Sequence, residues 1–250
     1  MSTRPEARFV KCGPAAQAPM FCAEAEGLAA LAAAGMPVPR LYFAGARAGA
    51  ALIELERLDL GAAPDWPALG RLLAELHRHT AARYGWENDN WIGLAPQANG
   101  WSTAWSAFWF EKRLAPQAAR ARAAGFTFDV DALRVLLADH RPPASLLHGD
   151  LWHGNVGFTR DGPVLFDPAV YYGDRETDLA MTELFGGFPA AFYAAYDAAW
   201  PREAGYAQRR GLYKLYHVLN HLNLFGTAYL RQAQSLVAGL MQHAREYGGA

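Results

Sequence analysis

Cysteine is almost absent. Cys12 and Cys22 are the two in 250 residues, and both lie near the start. That count excludes a disulfide scaffold and favours a cytoplasmic setting. Long apolar runs are missing too. The longest candidate, GLAALAAAGMPVP at 27–39, is alanine-rich, ended by prolines and shorter than the ~18 residues a membrane helix needs. The opening MSTRPEARFV has no apolar core of a secretory signal. Neither charge sign dominates: 23 basic residues face 24 acidic ones, for a formal net charge of −1. With no long run of either sign, there is no electrostatic footprint for nucleic acid or an anionic membrane. No internal repeat occurs, and no G-x4-GK[ST] loop, which excludes a P-loop kinase.

Apolar residues are plentiful, at 52% against 19% charged. A chain of this length and composition buries a core large enough to offset the entropy of folding, as one large domain or two modest lobes. RFVKC (8–12) reads as a short strand. The segment 19–35 carries apolar residues at helical spacing until Gly35 stops it. RLYFAG and AALIELERL read as two strands joined by a Gly45–Gly49 turn. The texture then changes. DWPALGRLLAELHRHTA (65–81) is an amphipathic helix with Asp65 as N-cap and a proline in its first turn. Residues 85–101 read as an aromatic, amide-rich loop. Helices are expected at 101–124, 129–140, 176–185, 189–199, 205–226 and 230–247, with two short strands, NVGF and PVLF, turned by TRDG. The expected architecture is α+β: a small N-terminal lobe over 1–57 and a mainly helical C-terminal lobe over 58–250.

The chemistry concentrates in LHGDLWHGN (147–155) and the PVLFDP that follows. Asp150 falls on a loop, Asn155 just before one strand and Asp167 just after its partner. A hairpin brings its two ends together, so Asn155 and Asp167 face each other. Two oxygen ligands of this kind suit Mg²⁺, which takes few protein ligands and leaves room for water and phosphate oxygens. Asp150 beside them is a candidate base for a hydroxyl. Catalytic-loop Asp, Asn five later and a second metal-binding Asp form the pattern of phosphoryl transfer in kinase-like enzymes. The stretch taken alone is also compatible with a polar turn whose Asp and Asn cap backbone groups. Zinc is disfavoured, because His148 and His153 are poorly spaced and no Cys or Glu cluster joins them. A Ser145–His148–Asp150 triad would need three near-neighbours and has no nucleophile elbow. A kinase-like site also requires a lysine on the first sheet and a helix glutamate to hold it. Lys11 and Glu24 stand in the right order, and the backbone around Glu56 and Leu58 forms a hinge able to pair with adenine edges.

These residues resemble the fructosamine/ketosamine-3-kinase family, within the aminoglycoside-phosphotransferase-like branch of the protein-kinase-like fold. The likeness is carried by LLHGDLWHGN (146–155), LFDPAVYYGDRETDLAMTELFGGFP (165–189), AFYAAY and LYHVLNHLNLFG (215–226). Upstream, FVK, MFCAEAEGLAAL, GWENDNWIG and PQANGW are similar as well. The resemblance implies ATP- and Mg²⁺-dependent phosphorylation of the 3-hydroxyl of a small-molecule or glycated-protein ketosamine, a deglycation activity. By motif, it makes Asp150 the catalytic base, Asn155 and Asp167 metal ligands, Lys11 a phosphate contact and Glu24 its partner. Trp152, Asn90, Gln97, Asn99 and His221 would wall the acceptor pocket. Tyr171 and Tyr172 either line that pocket or pack. Another amine-bearing acceptor, aminoglycoside- or choline-like, is the alternative substrate. A catalytically weak binding protein is the alternative function. That last reading follows from the start of the chain: residues 1–7 leave no room for the Gly-rich hairpin that covers the phosphates in such kinases. An unpaired strand edge there would invite dimerisation or aggregation, so the expected state is a monomer or homodimer. His153 is expected to face solvent. His217 and His221 read as core and pocket histidines rather than metal ligands, the Trp101–Trp109 stripe as helix core, and Asp178 as a helix-dipole acid.

Overall fold

The computed structural model describes residues 8–248. The first lobe is an antiparallel sheet backed by one helix: β1 (Arg8–Pro14), α1 (Ala18–Ala33), β2 (Leu41–Arg47) and β3 (Ala50–Glu56), in sheet order β1-β3-β2. Alternation along β3 turns Ala51, Ile53 and Leu55 inward, onto Phe21, Ala25 and Leu28 of α1. The β2–β3 turn is Ala48–Gly49, with both residues at positive φ (51° and 81°), as a two-residue hairpin of right-handed twist requires. Gly45, expected to open that turn, stays within β2 opposite Leu52. The expectation about a Gly-rich hairpin concerns residues 1–7 and lies outside the described residues.

The larger lobe starts with α2 (Trp66–His77), capped by the Asp65 carboxylate, which accepts from the Ala68 N–H at 2.8 Å. It continues through β4 (Thr80–Ala81), β5 (Asn90–Ile92), β6 (Ala95–Gln97), α3 (Trp105–Trp109) and α4 (Ala115–Ala123). Next come β7 (Ala144–Leu147), β8 (Val156–Thr159), β9 (Gly162–Leu165) and β10 (Tyr171–Gly173). Four helices close the chain: α5 (Glu176–Thr182), α6 (Ala190–Ala199), α7 (Tyr206–Phe225) and α8 (Leu230–Gly248). The core forms two main clusters. Trp105, Phe108 and Trp109 pack on Tyr213 and Tyr216 in one. Leu69, Leu73 and Leu76 of α2 pack on Phe192 and Tyr196 of α6 in the other.

Several expectations change in detail. The amide-rich loop contains the β5–β6 hairpin, whose strands are three residues long, too short to show a period. The 101–124 helix begins at Trp105 and passes through a π-type turn at Phe110–Leu114 between α3 and α4. The 129–140 segment forms a 3₁₀ turn over Asp131–Leu137 rather than an α-helix, cut short by Pro142–Pro143. β7 is buried along its whole length and so shows no alternation. The end of α1 does not belong to the small lobe alone: Leu31, Ala34 and Met36 pack into the same core as Leu69 and Leu165.

Candidate active site

β7 delivers the chain to His148, Gly149 and Asp150, and backbone contacts hold that turn. The His148 and Gly149 N–H groups both donate to the Asp178 carboxylate, at 2.7 and 2.9 Å. The Ala169 N–H donates to the His148 carbonyl at 2.8 Å, and the His148 Nε2 lies 3.0 Å from the Phe166 carbonyl. Gly149 has φ +83°, and a Cβ there would stand 2.0 Å from the Ala169 carbonyl oxygen. No other residue fits. The loop and the segment after Asp167 are therefore locked together.

Asp150 emerges from this turn toward Asn155. The Asn155 Nδ2 donates to the Asp150 carbonyl at 2.7 Å and to its carboxylate at 3.1 Å. β8 and β9 pair in register from Val156–Leu165 to Thr159–Gly162, and the Phe166 N–H donates to the Asn155 carbonyl at 3.2 Å. This hairpin closes twelve residues of sequence into a contact, with the Asn155 Nδ2 at 3.5 Å from the Asp167 carbonyl. Asp167 adopts φ +55°, the left-handed region that a non-glycine residue enters at a cost. Burial pushes the Asp150 carboxyl up to about 7; the Asn155 hydrogen bond opposes this, and the charges of Asp167 and Asp178 add to it.

Lys11 on β1 reaches across to this group. Its Nζ is 2.8 Å from Glu24 of α1 and 2.6 Å from the Asp167 carboxylate. Burial alone would pull its pKa down, but the two carboxylates outweigh that and raise it, so the ammonium stays charged. Lys11 and Asp167 stand between two cavities and line both. One, of about 330 Å³, holds Asp150, Trp152, Asn155 and His221 on its walls. The other, of about 390 Å³, runs between the lobes with apolar walls from Phe9, Leu55, Leu60 and Phe166. Glu56 and Leu58 also line it, although the Glu56 N–H is engaged by the Arg40 carbonyl at 2.8 Å.

The donors that could hold a cation are the Asn155 side-chain oxygen and the Asp167 carboxylate. Both are hard oxygen ligands of the type Mg²⁺ takes, and the Asp167 side chain is 42% exposed, leaving coordination positions for other oxygens. A second cluster, His140, Asp174 and Glu176, lies within metal-binding distance. It is closed internally: Tyr213 donates to Asp174 at 2.6 Å, and Arg209 pairs with both Glu176 oxygens.

The structure places Lys11, Glu24, Asp150, Asn155 and Asp167 together. Trp152, Asn90 and His221 line the polar cavity. Gln97, Asn99 and Tyr171, expected on the acceptor wall, do not, because each is buried behind it. Gln97 donates to the Asn90 side-chain oxygen (2.8 Å) and to the Ala169 carbonyl (3.2 Å), and accepts from Tyr216 (2.6 Å). Asn99 accepts from Arg113 at 2.8 Å and donates to Asn90 at 3.0 Å. Asn90 donates to the Val170 carbonyl at 2.8 Å. The Tyr171 ring lies under the Arg113 guanidinium at 4.0 Å. Buried amides must be satisfied, and this network does so by holding the Ala169 and Val170 carbonyls, just beyond Asp167. His153 is exposed, with its ring edge on Trp66 and Phe188. His217 is buried, its pKa pushed down to about 3 by desolvation and the neighbouring His221. His221 donates from Nδ1 to the His217 carbonyl at 2.9 Å.

Two participants were not legible as such. Asp178 stands in the first turn of α5, as expected, but it is also buried and accepts from the His148 and Gly149 N–H groups. Burial would raise its pKa, but the hydrogen bonds and nearby His77 hold it below the usual carboxylate range. His77 of α2 sits 3.2 Å from Asp178 through Nε2 and 2.8 Å from the Tyr196 hydroxyl through Nδ1. Asp178 lies 28 residues beyond Asp150 and His77 lies 73 before it, so neither spacing forms a local motif.

The chain is similar to known proteins over nearly its whole length. The fructosamine kinase family model matches residues 1–243. A "probable ketoamine kinase" of Synechocystis is 48% identical over 239 residues, covering 92% of this chain and 81% of the relative. The chloroplastic protein-ribulosamine 3-kinase of Arabidopsis thaliana is 40% identical over 244 residues, covering 92% and 74%. The crystal structure of a protein assigned as a fructosamine-3-kinase from Haemophilus somnus superposes with a TM-score of 0.89 at 33% identity, covering 93% of this chain and 83% of that one. A type VIII aminoglycoside-3'-phosphotransferase superposes at 0.51 with 24% identity over 84% of each chain, a likeness of fold alone.

Proposed function

The chain belongs to the fructosamine kinase family, and we propose that it transfers the γ-phosphoryl group of ATP to the 3-hydroxyl of a ketosamine. The observation that carries this reading is the convergence of Asp150, Asn155, Lys11 and Asp167 where two cavities meet. The apolar cavity takes the adenine, with the hinge backbone at Leu58 along its edge. The polar cavity takes the sugar. Asp150 accepts the proton of the attacking hydroxyl, and the Asn155 amide at 3.1 Å fixes the carboxylate for that step. Lys11, held by Glu24, turns from Asp167 to the phosphates. Asn155 and Asp167 would hold Mg²⁺ through their side-chain oxygens, and the cation would supply neutralisation of charge on the phosphate oxygens. Small ketosamines and glycated proteins are both acceptors in this reading, and the working form is a monomer or homodimer. The setting is cytoplasmic, in keeping with Cys12 and Cys22, which are free and exposed. No helix among the described residues is long and apolar enough to cross a membrane. The aminoglycoside- and choline-like alternatives gain nothing from a shared fold.

The test is direct. Mg-ATP and a fructosylated amine are incubated with the protein, and the sugar phosphate is read by ³¹P resonance and mass. A 3-phosphate is expected with the native chain and its absence with Asp150→Asn. Equal product from both would remove Asp150 from the reaction, and none from the native chain would remove the activity.

A further inference from the structure

Two large apolar side chains stand in solvent at the mouth of the polar cavity: Leu94, 65% exposed, and Phe225, 64% exposed. Neither belongs to a core cluster, yet each is carried on a backbone position fixed by secondary structure. Leu94 lies in the two-residue turn between β5 and β6, behind Gly93 at φ +58°, with Ile92 paired to Ala95. The base of that hairpin is pinned by the Asn90–Gln97 amide pair. Phe225 is the last residue of α7, its ring 5.3 Å from His221 and 6.3 Å from Tyr229. The hairpin tip reaches the end of α7, since a Cβ on Gly93 would meet the Leu224 side chain at 3.7 Å. The two exposed side chains therefore flank one opening.

The cavity is divided chemically. Its inner end carries Asp150, Asn155 and Asp167, suited to hydroxyls and a cation. Its outer end carries Met20, Leu94, Leu224 and Phe225. Among the described residues, the one lysine or arginine on its wall is Lys11, paired with Glu24 and Asp167. A carboxylate entering the mouth would meet no free cation.

We propose that Leu94 and Phe225 form a subsite for the substituent on the acceptor's amine nitrogen, one that selects an uninterrupted hydrocarbon stem over a stem bearing a carboxylate close to the nitrogen. The inference rests on the ketosamine reading above. With the sugar's 3-hydroxyl at Asp150, the nitrogen on C1 is two carbons away, and its substituent leaves through the open mouth because the catalytic loop closes the inner end. A backbone already ordered in a hairpin turn and a helix end loses little freedom when a ligand covers it, which lowers the entropic cost of the apolar contact. Contiguous exposed apolar side chains on preorganised supports mark recognition surfaces.

The experiment uses fructose carrying ethyl-, butyl- and hexylamine on C1, together with its glycine counterpart, and measures kcat/KM for each. Transfer of methylenes out of water predicts a rise of about two- to fourfold per methylene for the native protein, with the glycine derivative below the ethyl one. The slope is then measured in Leu94→Ser, Phe225→Ser and the double variant. Comparison is made within each variant, so a change in its overall activity cancels. The slope is expected to fall in each single variant and to vanish in the double one. An unchanged slope in the double variant, or a flat series in the native protein, overturns the subsite. No turnover of any member by the native protein overturns the ketosamine reading itself.

Discussion

Asp150 and Asp178 are two buried carboxylates with opposite fates. Asp150 has one hydrogen-bond donor against its burial, so its carboxyl rises to about 7. Asp178 has three, and stays ionised. A base must be deprotonated to act, so log kcat/KM should fall with unit slope as pH drops below about 7, and a profile flat to pH 5 would exclude Asp150 as the base. The same shift affects stability. An acid whose folded pKa exceeds its unfolded value binds the proton more tightly when folded, so stability is lost as pH rises from about 4 through 7. Asp150→Asn removes that loss. It should lower kcat by about 10²–10⁴-fold and stabilise the fold at pH 8 by on the order of 1–3 kcal/mol, read by denaturant titration. Asp178→Asn should do the reverse. An amide placed there sets an N–H donor against backbone N–H groups that need acceptors. The fold should lose about 2–4 kcal/mol, with kcat falling as the catalytic loop loosens. An Asp178→Asn protein as stable as the native one would show that the three donors find other acceptors.

Elements explain why some of the site was readable and some was not. The D-x4-N spacing and the β8–β9 hairpin are local, so sequence distance alone joins Asn155 to Asp167. Lys11 and Glu24 were readable through their order along strand and helix. Gln97 and Asn99 depart from expectation where Asn90 does not, because an amide in a loop has the same letter whether it faces a ligand or a buried carbonyl. The three-residue strands that turn Gln97 inward are too short for a period to reveal. The α2–α6 crossing was equally hidden. It depends on Gly70, where a Cβ would stand 2.3 Å from the Phe192 carbonyl and 3.0 Å from the Tyr196 nitrogen. Gly70→Ala must push α6 away, and Tyr196 with it from His77. It should cost about 1–3 kcal/mol and lower the melting temperature by ~2–10 °C. Gly239 in α8 is the internal control. Its Cβ would meet nothing within 4 Å, so Gly239→Ala should stabilise by about 0.5–1 kcal/mol through helix propensity. Equal losses from both substitutions would mean that close packing is not what Gly70 serves.

At the scale of the whole molecule, the question is whether residues 1–57 and 58–250 act as separate bodies. Two features tie them. Leu31, Ala34 and Met36 of the first segment share a core with Leu69, Leu165 and Val170 of the second. The Lys11–Asp167 ion pair spans the gap above it. The small lobe's own core, Phe21, Ala25, Leu28, Ala51, Ile53 and Leu55, is too little to stand alone once that shared core is lost. Heating should therefore give one cooperative transition, seen alike by fluorescence and by far-ultraviolet dichroism. A nucleotide seated between the lobes binds only the folded form. Mg-ADP at a hundred times its Kd should add about 2.7 kcal/mol, raising the midpoint by ~5–10 °C. Asp150→Asn should keep that rise, because Asp150 lines the polar cavity and not the one between the lobes. Lys11→Met should lose most of it if the Lys11 charge meets the phosphates, as proposed above. Two resolved transitions, with Mg-ADP moving only the lower one, would show instead that the small lobe melts by itself and that the shared core at Leu31 and Met36 does not couple them.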